Sequence, residues 1–173
     1  MLISEDYRIL NKKLHENPKY GSRKRPAVYA NIKDLMDKTG SKTILDYGCG
    51  KGTMADYLDD VTLYDPCMPE FSKRPDGPFD TVACCDVLEH VEPAYLDNVL
   101  DDIKSLATKA VYLVISTRPA SKVLEDGRNA HLIIQPRDWW EKRLAQTFTT
   151  WQLTIKNSDI SELIVLGVKN GSR

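Results

Sequence analysis

Three groups of residues in this chain of 173 have the types and spacing that chemistry needs. The first is Asp46, Gly48, Gly50 and Gly52 in TILDYGCGKG, residues 43–52, with Cys49 between the glycines. Glycine at every second position lets a backbone take positive φ and approach a ligand with no Cβ in the way. The helix-compatible TMADYL that follows would offer free N–H groups and a positive dipole end to a carboxylate or phosphate. The second group is Tyr64, Asp65 and Pro66, where Asp65 lies 19 residues beyond Asp46. A carboxylate at that distance suits a ribose, whose two hydroxyls can donate to its two oxygens; the alternative is an aspartate that only turns the chain before Pro66. The third is Asp86, Glu89 and His90 in CCDVLEHVEP, with His131 further on in DGRNAHL. Imidazole titrates near neutrality, so His131 is the first candidate for a general base acting on an O–H or N–H nucleophile, while Asp86, Glu89 and His90 could orient a substrate or accept a proton. Against these stand structural readings: Glu89 and His90 capping the next helix, and His131 merely satisfied by its loop.

Two familiar glycine fingerprints fail here. GxGxxG counted from Gly48 needs a glycine where Thr53 stands, and GxxxxGK[ST] fails because Lys51 is followed by Gly52. DxGxGxG resembles motif I of class I S-adenosylmethionine-dependent methyltransferases, and DVLEHVEP resembles motif IV and its following turn in small-molecule members. DGRNAHL resembles a stretch in small methyltransferases of bacteria and bacteriophages. The resemblance spans residues 42–170 and implies S-adenosylmethionine as cofactor. It would place Asp46, Gly48, Cys49, Gly50 and Gly52 around the methionine and ribose parts, with Tyr64, Asp65 and Pro66 at the ribose. Cys85, Asp86, Val87 and His90 would line the crevice, with adenine falling to residues 84–87 or to the loop before them. His131 and Asp86 would be the catalytic residues. A sulfonium methyl is already activated, so the reading requires no metal.

Elements must carry these groups to one place. Apolar runs at 44–45, 61–64, 79–85 and 110–115 read as parallel strands buried on both faces, and 150–156 and 162–169 as a hairpin joined by NSDIS. Helical periodicity marks 27–39, 53–58, 93–106 and 136–147, the second of these short. Residues 67–78, with Pro69, Pro75 and Pro78, lack periodicity where the family has a third strand and helix. The expected fold is therefore α/β, a Rossmann-like methyltransferase sandwich: a mostly parallel sheet, a C-terminal antiparallel hairpin, and the third strand reduced or missing. One domain fills 1–173, an arm and helix in 1–40 and the cofactor-binding core in 41–173. The arm, 1–26, reads as polar and irregular, with Tyr7, His15, Tyr20, Arg23, Lys24 and Arg25 available to cover cofactor or admit substrate. Trp139, Trp140 and Trp151 sit in periodic elements and read as core. Residues 116–136 are the longest stretch without periodicity, and loops of that length are usually functional.

Composition bounds the partners. The net charge of −1 hides basic ends and an acidic middle: residues 1–40 carry nine Lys/Arg against five Asp/Glu, and residues 41–103 carry four against fourteen. A basic arm can attract a phosphorylated substrate or nucleic acid. Yet Pro66-Cys67 follows the second strand rather than the fourth, and CCDVLEH stands where amine-methylating enzymes of bases carry an Asn/Asp-Pro-Pro-aromatic motif. Both nucleic-acid classes lose weight. The expectation is a cytoplasmic methyltransferase acting on an O or N nucleophile of a small molecule, with no membrane partner. Nucleic acid as acceptor and a non-catalytic methyltransferase-fold binding module are the alternatives. The four cysteines show neither CxxC spacing nor a pair placed for a disulfide.

Overall fold

The computed structural model describes residues 1–159 and 161–171. Its strands are β1 (Ile44–Tyr47), β2 (Val61–Tyr64), β3 (Phe79–Cys85), β4 (Ala107–Ser116), β5 (Trp151–Asp159) and β6 (Glu162–Lys169). They form one sheet in the order β2-β1-β3-β4-β6-β5. β1 pairs in parallel with β2 and β3, β3 in parallel with β4, and β6 runs antiparallel to both β4 and β5. The parallel core and terminal hairpin are those expected, although β5 extends to Asp159 and so takes up most of the NSDIS connection. Ile160 of that connection lies outside the described residues.

Alternation along β4 explains the layers. Val111, Leu113 and Ile115 face one core with Leu100, Ile103, Trp140 and Leu144, from helices α3 (Leu96–Leu106) and α4 (Arg137–Thr147). Ala110, Tyr112 and Val114 face the other with Val28, Ile32 and Leu35 of α2 (Pro26–Thr39). Both faces of the strand are buried, which is why its sequence reads as an unbroken apolar run. Trp140 and Trp151 are in the first core and Trp139 packs against it, as core residues rather than an exposed stacking platform. No helix among the described residues is long and apolar enough to cross a membrane.

Between β2 and β3 the described residues form a 3₁₀ turn, Pro69–Phe71, and no strand. Three prolines without donors cannot hold a ladder there, and β2 is left as the sheet edge. Three expectations need correction. The polar arm contains a helix, α1 (Glu5–His15), started by Ser4, whose hydroxyl accepts from Tyr7 N at 3.2 Å, with Glu5 and Asp6 in its first turn. The segment after the glycine loop is only a 3₁₀ turn, Thr53–Asp56, because the chain must reverse through Asp60, at φ 54, to start β2 at Val61. The 93–106 helix begins as a 3₁₀ turn, Pro93–Tyr95, before α3.

Candidate active site

In an open parallel sheet, ligands bind at the carboxyl ends of the strands where the order reverses. Here the chain goes from β1 outward to β2 and then to β3 on β1's other side, so the reversal lies above β1 and β3. A cavity of about 380 Å³ opens at that point. Asp46, Asp65, Cys85, Asp86, His90 and His131, from four separate stretches of the sequence, all line it.

Its first half is built by the glycine loop. Gly48, Gly50 and Gly52 have φ of 80, 52 and 70, as their spacing demanded. The loop is not an anion cradle, however. Gly48 N and Cys49 N donate to Tyr64 O at 2.7 and 3.0 Å, Gly50 N to Asp65 Oδ2 at 3.0 Å, and Lys51 N to Gly21 O at 2.9 Å. Its N–H groups are already used, and no α-helix dipole follows. Two buried carboxylates dominate instead. Asp46 is 5 % exposed and Asp65 7 % exposed. Burial, and then the neighbouring Asp65 charge, push the Asp46 carboxyl up to about 7. Asp65 Oδ1 also accepts from Cys67 N at 2.9 Å, so backbone donors at both oxygens fix its orientation. Such a pair favours a ligand with cationic and hydroxyl groups over a phosphate.

The second half gathers Asp86, Glu89, His90 and His131. Asp86 takes the left-handed conformation, at φ 57, with its N bonded to Val114 O at 2.9 Å. That turns its carboxylate to Arg25, which donates at 2.8 and 2.9 Å to its two oxygens and at 2.6 Å to Glu162. Arg23 lies 3.5 Å from Glu162 and 3.9 Å from Asp86. The basic arm therefore closes on acids of its own chain, and Lys24 joins it by pairing with Asp56 at 2.7 Å.

His90 and His131 meet edge to face, ring centroids 4.6 Å apart. His90 Nδ1 lies 2.7 Å from Ala130 O and His131 Nδ1 2.6 Å from Arg118 O. A carbonyl only accepts, so both rings carry their proton on Nδ1 when neutral and keep a lone pair on Nε2. Burial, and then His131, depress His90 to about 4, so that ring is neutral at physiological pH. Glu89 is fully buried, with Oε1 accepting from Ser116 N at 3.0 Å. Burial, and then Asp86, push its carboxyl up to about 8. It does not cap a following helix: it ties the 3₁₀ turn Leu88–His90 to the end of β4.

The arm roofs the cavity. Tyr7, Asn11, His15 and Tyr20 line it, Tyr7 Oη donates to His90 O at 2.6 Å, and the Gly21 carbonyl lies on the glycine loop. A Cβ on Gly50 would sit 2.6 Å from that carbonyl oxygen, so only glycine permits the closure. Two residues that complete the site escaped the sequence reading. Asn129 holds the loop after β4 by exchanging hydrogen bonds of 2.9 Å with Ala120 and accepting His131 N at 2.9 Å. Glu162 begins β6 opposite Ser116. Asn129 had a signal, an Asx residue inside a turn-rich loop; Glu162 had none. Burial raises all four free cysteine thiols, Cys67 to about 12, so none is poised as a nucleophile.

Solved structures with this fold include a 1,6-didemethyltoxoflavin N1-methyltransferase of Burkholderia thailandensis with its substrate and S-adenosylhomocysteine. It has a TM-score of 0.63 and 15 % identity over 98 % of this chain and 91 % of that one. The N-methyltransferase NodS of Bradyrhizobium japonicum, with S-adenosylhomocysteine, has a TM-score of 0.59 at 15 % identity over 96 % and 100 %. Magnesium protoporphyrin IX methyltransferase of Synechocystis, also with S-adenosylhomocysteine, has 0.58 at 15 % over 96 % and 86 %. At these identities the likeness is one of fold. No curated protein matches the sequence. The family described as "Methyltransferase domain" matches residues 12–158, well over half of the length, and the chain belongs to that family.

Proposed function

We propose that this protein transfers the methyl group of S-adenosylmethionine to an O or N nucleophile of a small-molecule acceptor. The observation that carries the reading is the pair of buried carboxylates, Asp46 and Asp65, facing a cavity at the sheet's switch point. The cofactor brings an ammonium, a sulfonium and two ribose hydroxyls, which suit a carboxylate pair better than a phosphate would. The apolar side chains of Leu2, Ile3, Cys67, Val87 and Val91 line the same cavity and give adenine a slot without the missing third strand.

S-adenosylmethionine, when bound there, would supply an already activated methyl group for the acceptor nucleophile. The protein's part is to hold donor and acceptor in line in a site from which the arm excludes water. His131 Nε2 is the lone pair that deals with the acceptor's proton. Arg25, Asp86 and Glu162 shape the acceptor wall. Structural neighbours acting on a toxoflavin precursor and a porphyrin support a small-molecule acceptor. Pairing of Arg23, Lys24 and Arg25 with acids of the same chain supports a small-molecule acceptor over nucleic acid.

Calorimetric titration with S-adenosylmethionine and S-adenosylhomocysteine tests the reading. We expect micromolar binding, weakened at least tenfold, about 1.4 kcal/mol, in Asp65→Ala. Absence of binding by either ligand would overturn it and leave a non-catalytic module.

A further inference from the structure

Glu89, His90 and His131 can each bring one ligand atom to within 4.8 Å of those of the other two. The residues converge from two places, the 3₁₀ turn after β3 and the loop held by Asn129. What surrounds them is as informative as the cluster. Each imidazole is anchored through Nδ1 to a backbone carbonyl, Ala130 O for His90 and Arg118 O for His131. Metal-ligating histidines are oriented in this way, with the second ring nitrogen donating to a carbonyl or carboxylate. Glu89 Oε1 is likewise held by Ser116 N, while among the described residues Glu89 Oε2 is buried with no hydrogen-bond partner. A fully buried carboxylate oxygen left unpaired is costly in a folded protein. A cation beside it removes that cost.

We infer that Glu89, His90 and His131 form a binding site for one divalent transition-metal ion of the zinc class, in the acceptor half of the cavity. Two imidazoles and a carboxylate favour zinc and its neighbours over magnesium or calcium, which prefer all-oxygen sets. A tetrahedral ion with bonds of about 2.1 Å holds its ligands roughly 3.4 Å apart, so the three side chains draw together on binding. Three protein ligands leave a fourth position open to water or substrate. The sequence reading required no metal; the side chains give one a place.

The site stands on its own geometry, but the role of the ion rests on the methyl-transfer reading. A hydroxyl oxygen of the acceptor would occupy the open position, where the ion lowers the hydroxyl's pKa. The hydroxyl's proton passes to solvent water as the acceptor binds, the oxygen left on the ion attacks the methyl carbon, and His131, with Nε2 given to the ion, acts as a ligand rather than as the base. The acceptor class narrows to molecules with a hydroxyl able to reach the ion.

The test is a titration of the chelator-stripped full chain with zinc and, separately, cobalt(II), in wild type, Glu89→Gln and His131→Ala. S-adenosylhomocysteine titrations and thermal melts run alongside. We expect one ion per chain at micromolar or tighter Kd, cobalt absorption bands of a low-coordinate site, and at least tenfold weaker binding in both variants. A control at the exposed Glu70, Glu70→Gln, should bind the ion like wild type. If Glu89→Gln fails to fold, His131→Ala, altered in a loop, decides alone. No saturable binding, or equal affinity in wild type and His131→Ala, overturns the site. If the ion fails to bind while S-adenosylhomocysteine does, only the metal site falls; the reverse result removes the methyl-transfer reading and keeps the site.

Discussion

The two halves of the cavity are built in different ways. The half proposed for the cofactor is local: Asp46 stands next to last in β1, Asp65 follows β2, and the glycine loop between them bonds directly to residues 64 and 65. The acceptor half is made by long-range partners, with Arg25 meeting Asp86 and Glu162, and His90 meeting Ala130 and His131. The first half owes its shape to strand ends and backbone, and the second to charge pairs and a folded loop. Substitutions in the first should therefore change cofactor affinity, and those in the second stability or turnover.

The largest effect should come from Gly50→Ala, whose Cβ would meet the Gly21 carbonyl oxygen at 2.6 Å in a left-handed conformation. We expect cofactor affinity to fall about a hundredfold, roughly 2.7 kcal/mol, in a calorimetric titration. Unchanged affinity would mean the arm need not close on the loop.

Next comes Arg25→Ala, which leaves Asp86 and Glu162 with only the more exposed Arg23, 3.9 and 3.5 Å away, to offset their charge. Breaking a fully buried pair costs about 3 kcal/mol; with Arg23 still in place the loss should be about 2 kcal/mol, and a chain of this size should melt roughly 4–8 °C lower. A melting point within a degree or two of wild type would contradict this, and cofactor affinity should move much less than in Gly50→Ala.

Asp46 sharpens the contrast through pH. Its folded carboxyl titrates near 7 against an ordinary value of 3.8. The folded protein therefore holds a proton there that the unfolded chain has already released, and the ligand-free protein loses stability as pH rises from about 4 to 7. Asp46→Asn removes that loss, by a few kcal/mol at most on the order set by the shift. The variant should gain thermal stability over wild type at pH 8 and much less at pH 5. Parallel curves for the two proteins would sink the idea.

Much of this was legible in the sequence, for identifiable reasons. The strands β1, β2, β3 and β6 are apolar runs with turn residues at their ends, and the glycine positions follow from backbone sterics. Pro69, Pro75 and Pro78 announced the lost strand. Helix α1 was missed because only Tyr7 of its residues is fully buried, leaving almost no apolar stripe, although Ser4-Glu5-Asp6 is a sound helix start. The acceptor half was partly hidden: Asp86, His90 and His131 could be named, but their partners Arg25, Ala130 and Glu162 are brought to them only by the fold. The free N–H groups expected at the start of a helix over TMADYL are missing because that segment makes only a 3₁₀ turn, and Tyr64 O, Asp65 and Gly21 O, from other segments, take up those of the glycine loop.

The contact between Arg25 and Glu162 has a consequence for how the protein is made. The two residues are 137 positions apart, so a chain emerging from a ribosome completes the cofactor loop long before the strand that anchors its roof exists. Until residue 162 is available, Arg25 and Asp86 lack their third member, and closing so long a loop carries an entropic cost that only the finished sheet offsets. The nucleotide-like pocket can take shape early, but its cover latches only once β6 has been made.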